Sequence, residues 1–302
     1  MTPVLEARGL EIAYGRARAV DGVDLEVRQG EIVALVGESG CGKSSLARAL
    51  VGLVRPTRGE IRYQGAPLDY RRLKEYRRHV QLILQDPGGA LNPRQTVRAA
   101  VAEGPRLHGL KGDGVNGDRV TSALAKAGLR PPEDYLRRYP HELSGGQQQR
   151  VVIAGALALE PSVIVADEPV ASLDASVRGE ILKLILGLRD ELGMSALVVS
   201  HDLGLAWNIA DRVAVMYLGR IVETGTVEEV LIRPRHPYTR AMLAAASGTA
   251  TPLQGEPPDP ARIPAGCRFH PRCASRTDEC GSIDPPVRAG VACHLTVLEE
   301  IS

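Results

Sequence analysis

The stretch "EIVALVGESGCGKSSLARALVGL" constrains the fold of this chain more than any other. A short apolar run passes through a glycine-bearing turn into a segment with helical spacing, which predicts strand, loop and helix in direct succession. The turn has the spacing Gly37-x4-Gly42-Lys43-Ser44. Its glycines let backbone N–H groups turn inward around phosphate oxygens, Lys43 can reach the terminal phosphates, and the Ser44 hydroxyl suits a magnesium ion. Such a loop needs a buried strand feeding a helix N-terminus, so the chain is expected to build an α/β sheet covered by helices. Glu38, Ser39, Gly40, Cys41 and Ser45 complete the candidate nucleotide-binding turn, with Cys41 read as a small tolerated side chain rather than a redox switch.

With 302 residues, 44% of them apolar, the chain can form one large α/β domain plus an appendage, or two modest domains. Lysine and arginine (37) nearly cancel aspartate and glutamate (36), so no broad basic field exists to hold nucleic acid, and no nucleic-acid partner is expected. The longest apolar run, Val151 to Leu159, is far short of the roughly 18 to 20 residues of a spanning helix. Membrane association would therefore come through a partner. The N-terminal stretch has neither the basic nor the apolar region of a signal peptide, which points to the cytosol, where the five cysteines would stay reduced or hold metal.

Apolar strands alternate with helical patterns as far as about Ile232. In "ASVRGEILKLILGLRDELG" the residues Val177, Ile181, Leu184, Leu188 and Leu192 keep helical spacing, Asp174 is placed to cap the start, and Gly193 to end it. Between Asp86 and Glu160 the β signals vanish, and "VNGDRVTSALAKAGL" and "QQQRVVIAGALAL" predict helices of an inserted subdomain. From Ser247 to Gly266 the text turns rich in proline and glycine without periodicity, which predicts a linker.

Two further elements carry chemistry. "SVIVADEP" predicts a buried strand that delivers Asp167 and Glu168 at its exit; Asp167 would hold magnesium through water, and Glu168 would orient or deprotonate an attacking water. His201 ends the strand "SALVVS" in a similar way and could reach a γ-phosphate. More than a hundred residues after the first loop comes a second glycine turn, Leu143, Ser144, Gly145, Gly146 and Gln147. A helix terminus contributes only about 0.3 to 2 kcal/mol toward a phosphate, whereas millimolar affinity needs about 4 kcal/mol. The second turn is thus too weak to act alone and makes sense as a second wall against a phosphate already held.

Together, "LSGGQ", the phosphate loop and "VIVADEP" resemble the nucleotide-binding subunit of an ATP-binding cassette (ABC) transporter, from about Leu5 to Ile232. The resemblance implies a RecA-like phosphate-loop NTPase fold with a β-rich N-terminal part, a helical subdomain at about 86–159 and a small cysteine-rich extension, divided as 1–232 and 233–302. It also implies that Gln85 contacts magnesium and the interface, that Ser172, Leu173 and Asp174 form an aspartate loop, that His201 is a switch histidine, and that Tyr14 stacks on adenine. Lys43, Glu168 and His201 would be catalytic, Ser44, Gln85 and Asp167 would serve magnesium, and the second turn would close on ATP bound to a neighbouring subunit. The partners implied are a second ATPase subunit, identical or paralogous, two transmembrane permease subunits and, indirectly, an extracytoplasmic solute-binding protein. The chain would then sit peripherally on the cytoplasmic face of the inner membrane.

"RHPYTRAML" at Arg235 to Leu243, "QDPGGALNPRQT" and the cysteine-bearing tail resemble the oligopeptide/dipeptide importer branch, departing from it at Arg268 and Ala274. The tail cysteines run Cys267-x5-Cys273-x6-Cys280-x12-Cys293. Four thiols in a short polar segment suggest a metal centre; the wide spacing and the branch lean toward a [4Fe–4S] cluster, with zinc aided by His270 or His294, or free thiols, as alternatives. Alternative functions are the same motor for nickel or another small solute, and an ABC ATPase that moves no solute.

Overall fold

Residues 2–110, 118–248, 255–256 and 258–295 are described in a computed structural model of the chain. Among them the strands are β1 (Pro3–Tyr14), β2 (Ala17–Arg28), β3 (Ile32–Val36), β4 (Arg58–Tyr63), β5 (Ala66–Pro67), β6 (Val80–Ile83), β7 (Val163–Asp167), β8 (Ser195–Ser200), β9 (Arg212–Tyr217) and β10 (Arg220–Thr226). The helices are α1 (Lys43–Leu50), α2 (Leu73–His79), α3 (Pro87–Ala90), α4 (Val97–Leu107), α5 (Asp118–Lys126), α6 (Gly145–Leu157), α7 (Ala175–Leu192), α8 (Leu203–Ile209) and α9 (Pro237–Ala246). The expected α/β alternation is present, and no helix among the described residues is long and apolar enough to cross a membrane.

The chain divides into two compact units: Met1–Val4, Val27–Glu31 and Leu68–Val198 form the first, and Leu5–Glu26, Ile32–Pro67 and Val199–Ser302 the second. In the first unit β8, β7 and β6 lie side by side, with β6 and β7 parallel in the register Val80↔Val163 to Ile83↔Ala166. Every residue of β7 is buried, as a parallel strand covered on both faces must be. The helical stretch expected between Asp86 and Glu160 holds α3 to α6, with α4 and α5 packed on α6. Residues 115–117 of the predicted helix "VNGDRVTSALAKAGL" lie outside the described residues, and the helix is observed from Asp118.

The long helix α7 differs from its sequence reading in two details. The buried stripe is Ile181, Ile185 and Leu188, while Val177 and Leu184 are only half-buried and Leu192 is exposed. Asp174 occupies the N-cap position without a side-chain cap bond, and Gly193 ends the helix as expected.

In the second unit β2, β1, β4 and β5 form an antiparallel sheet, and β10, β9 and β3 lie side by side, β3 parallel to β9 and β10 antiparallel to it. The buried face of β3 and β9 packs under α8 through Ala34, Val36, Val213, Val215, Leu203 and Ala206. The C-terminal segment shares this core. Tyr217 at the end of β9, Tyr238 of α9 and Phe269 of the cysteine-rich tail pack at tilted and edge-to-face angles, with ring centroids 4.6 Å (Tyr217 to Tyr238) and 5.4 Å (each to Phe269) apart. The tail also adds a short antiparallel pairing to β10, where Glu223 meets Val291 and the Val222 carbonyl accepts from the Ala292 N–H at 2.9 Å. Residues 249–254 and 257 of the predicted linker lie outside the described residues. The rest is not loose throughout: the Pro260 carbonyl accepts from the Arg18 N–H of β2 at 3.1 Å.

Candidate active site

The phosphate loop belongs to the second unit. It leaves the fully buried β3 and ends at Gly42, the N-cap of α1, which carries no side-chain cap and no acidic residue in its first turn. The first N–H groups and the positive dipole end of α1 are therefore not claimed by a side-chain cap, the condition an anion needs. Gly42 has φ 108°, and a Cβ there would overlap the Ala19 carbonyl of β2, so only glycine fits. The Lys43 ammonium is buried inside the turn and donates to the carbonyls of Gly37 at 2.7 Å and Glu38 at 2.8 Å. Cys41 Sγ lies 3.8 Å from the same ammonium; burial pushes this thiol up although Lys43 pulls the other way. A thiol kept protonated in this way is a weak nucleophile.

Glu38 is held from three directions. Its N–H donates to Tyr238 Oη at 2.9 Å, its carbonyl accepts from Lys43, and its carboxylate accepts a two-pronged bond from Arg272 at 2.7 and 2.9 Å. Neither Tyr238 nor Arg272 was singled out for the site in the sequence. No local sequence pattern marked them, since Tyr217, Tyr238 and Phe269 are widely spaced along the chain and meet only in the fold.

The second unit also carries Tyr14, the last residue of β1 and 51% exposed, and His201, which follows β8 directly. The capping role at this strand end belongs to Asp202, whose side chain accepts from the Gly204 and Leu205 N–H groups of α8.

The first unit carries the remaining candidates and gathers several of them. Asp167 is buried at the end of β7, and Glu168 follows with φ 51°, a left-handed backbone that a glutamate adopts at a cost. The parallel register ends at Ile83↔Ala166, so Gln85 leaves β6 level with Glu168 leaving β7. The Gln85 carbonyl accepts from the Ser172 hydroxyl at 3.4 Å, which ties the segment around Gln85 to the turn after the acidic pair. Leu173 is buried in that turn, and its carbonyl accepts from Arg178 Nε at 2.8 Å.

The second glycine turn opens α6 through a capping box. Ser144 Oγ accepts from the Gln147 N–H at 3.3 Å, and Gln147 Oε1 accepts from the Ser144 N–H at 3.0 Å. The spacing Ser-x-x-Gln announces this box, yet the sequence reading used Ser144 only as a phosphate donor. The two roles are compatible, since a hydroxyl that accepts from Gln147 keeps its proton to donate outward. Ser144 and Gly145 are exposed, while Leu143 is buried. A Cβ on Gly146 would overlap Val177 Cγ1, so close packing of α6 on α7 dictates the second glycine.

The tail cysteines all lie in the second unit, with Cys280 and Cys293 buried and Cys267 and Cys273 partly so. Burial pushes the Cys267 thiol up to about 11, and the thiols of Cys280 and Cys293 add to the rise; burial, Cys293 and Cys280 likewise raise Cys273. The Cys267 N–H donates to the Cys280 carbonyl at 2.9 Å. The two candidate histidines have other partners: His270 Nδ1 is 2.8 Å from the Cys267 carbonyl and His294 Nε2 is 2.9 Å from the Ile283 carbonyl. Among the described residues no group of three or more His, Cys, Asp or Glu is placed to hold a single metal ion. Arg268, one of the two departures from the branch, is buried, ion-paired with Asp21 of β2 and bonded to the Leu218 carbonyl.

Residues 20–171 match the family "ABC transporter", and residues 222–280 match "Oligopeptide/dipeptide transporter, C-terminal region". The chain is 40% identical over 304 residues to the dipeptide transport ATP-binding protein DppF of Haemophilus influenzae, covering 94% of this chain and 92% of that one. Among solved structures, cbiO1 of Clostridium perfringens, part of an ABC transporter complex, is 32% identical with a TM-score of 0.70, covering 77% of this chain and 92% of its own. A dimeric ATP-binding cassette in a post-hydrolysis state with ADP and Pi is 29% identical with a TM-score of 0.65, covering 74% and 98%.

Proposed function

Because the chain belongs to the ABC transporter family and is an ATPase of that family, we propose that it is the ATP-hydrolysing subunit of an importer for oligopeptides or dipeptides. The observation that carries the cargo assignment is the match of residues 222–280 to the oligopeptide/dipeptide transporter C-terminal region. In this reading residues 1–232 are the motor and 233–302 the branch-specific extension. ATP lies along Gly37–Ser45 with its adenine on Tyr14, Lys43 meets the terminal phosphates, and Ser44, Gln85 and Asp167 serve magnesium. Glu168 orients or deprotonates the attacking water and His201 contacts the γ-phosphate. The left-handed backbone of Glu168 supports its role, since strain at a strand exit is retained where function needs the side chain aimed.

The capped turn Leu143–Gln147, with the aspartate loop Ser172–Asp174 beside it, closes on ATP held by a second cassette, so nucleotide joins two subunits and hydrolysis loosens them. Two permease subunits in the membrane and, through them, a solute-binding protein complete the assembly, with this chain peripheral on the cytoplasmic face. In purified protein Lys43→Ala should abolish turnover, and Glu168→Gln with ATP should elute as a dimer; full turnover in the first variant, or a monomer in the second, overturns the mechanism. Peptide uptake by vesicles holding the co-purified permease subunits tests the cargo, and transport of nickel without peptide would overturn it.

We further propose that Cys267, Cys273, Cys280 and Cys293 hold a [4Fe–4S] cluster. The donor set fits. Four thiols lie in one small region, with Cys280 and Cys293 near enough to both Cys267 and Cys273 to raise them, and each would bind its own iron rather than converge on one ion. Buried thiols resist ionising without a cation beside them, and a bound cluster supplies that cation and cross-links the tail. Iron and sulfide in about equal amounts, near four of each per chain after anaerobic purification, are expected; zinc alone would overturn the assignment.

A further inference from the structure

We propose that Arg272, from the C-terminal tail, is a positioning residue for ATP binding, acting through Glu38. Glu38 carries the one carboxylate of the phosphate loop, on the same turn that must receive a polyanion. Left unpaired, that charge would repel the triphosphate and oppose Lys43. Arg272 meets it with a two-pronged bond at 2.7 and 2.9 Å, the geometry that fixes a carboxylate in direction as well as charge. The guanidinium is itself held: its side chain is 5% exposed, and it lies over the Tyr217 ring at 5.9 Å. Tyr238 locks the same residue from the backbone side, accepting the Glu38 N–H at 2.9 Å. The tail thereby masks the loop's negative charge and keeps the Glu38 carbonyl where it meets the Lys43 ammonium at 2.8 Å.

This inference rests on the loop being the nucleotide site, which the Lys43→Ala variant tests separately. Steady-state ATPase kinetics of the full chain test the inference itself. Arg272→Ala should raise KM for ATP about five- to tenfold, the effect of roughly one uncompensated charge, while kcat stays within about twofold. Arg272→Lys, which keeps the charge but not the fork, should fall between. Whatever Glu38→Gln does to KM by itself, adding Arg272→Ala in that background should have little further effect, because the arginine then has no charge to mask. The Glu38→Gln background also removes the unpaired carboxylate, so the comparison survives if the single Arg272→Ala chain fails to fold. An unchanged KM in Arg272→Ala, or a rise as large in the Glu38→Gln background, would overturn the proposal; either outcome would reduce Arg272 to a support of the fold.

Discussion

Acidification should weaken the second unit through one histidine. His236 is 1% exposed at the start of α9, where its Nδ1 accepts the Tyr238 N–H at 3.0 Å as a helix cap. Burial pushes its ring down to about 4, against a hydrogen bond with the Ala292 backbone that favours the charged form. Protonating Nδ1 would set one N–H against another and lose the cap. The folded value lies below the usual 6.5 or so, so the unfolded chain binds more protons between those values and stability falls as pH drops through that window. A single site shifted from 6.5 to 4 removes about 1.4 kcal/mol by pH 5.5 and about 3 kcal/mol by pH 4, relative to pH 8. Urea unfolding can follow this through the chain's one tryptophan, Trp207, which belongs to the same unit. His236→Asn keeps an acceptor for the Tyr238 N–H and cannot titrate. The difference between wild type and this variant cancels every other histidine and should shrink by about 1.4 kcal/mol between pH 7.5 and 5.5. Parallel curves across that range would refute the argument.

Other substitutions probe the packing around the site. Gly146→Ala should cost about 1 to 3 kcal/mol by driving a methyl into Val177, and Val177→Ala beside it should recover most of the loss in a thermal melt. Ser144→Ala removes the α6 cap and should cost about 1 kcal/mol, separately from any loss of turnover. Arg268→Ala removes the nearest of three arginines around the buried Asp21 carboxylate, leaving Arg18 at 3.6 Å and Arg220 at 4.0 Å, and should cost about 1 to 3 kcal/mol at neutral pH. Burial opposes the Asp21 charge, but Arg268, together with Arg220 and Arg18, outweighs it and holds the carboxyl below its usual range. The contribution of this pair is therefore present above about pH 4 and fades as pH falls through the depressed value, so the wild-type and Arg268→Ala melting curves should converge in acid.

The nucleotide motifs were legible because each is local. Gly42 is dictated by its own φ and by the approach of β2, the apolar run before it marks β3, and the run before Asp167 marks β7. Those elements stand where the sequence put them. What escaped reading depends on partners far along the chain. The stripe on α7 runs through Ile185 rather than Leu184, because the neighbouring helix decides which side of an amphipathic segment is covered. Periodicity alone could not choose between adjacent residues. Glu168 showed its identity but not its left-handed backbone, which comes from the turn that follows β7.

The tail shows the same limit most clearly, and its composition held an unused clue. Four cysteines drew attention to metal chemistry, while the chain's single phenylalanine, Phe269, sits among them. A polar segment that carries one large apolar ring must bury it somewhere, and it cannot do so alone. Phe269 packs on Tyr217 and Tyr238, and Tyr238 in turn grips the Glu38 N–H. The ring that docks the tail thus also backs the tyrosine that holds the phosphate loop. Cutting Phe269 to leucine should therefore act at two distances: it should lower the stability of the tail by about 1 to 2 kcal/mol, and it should loosen Tyr238 enough to raise KM for ATP. A stability loss with KM unchanged would show that Tyr238 keeps its place without the ring beneath it.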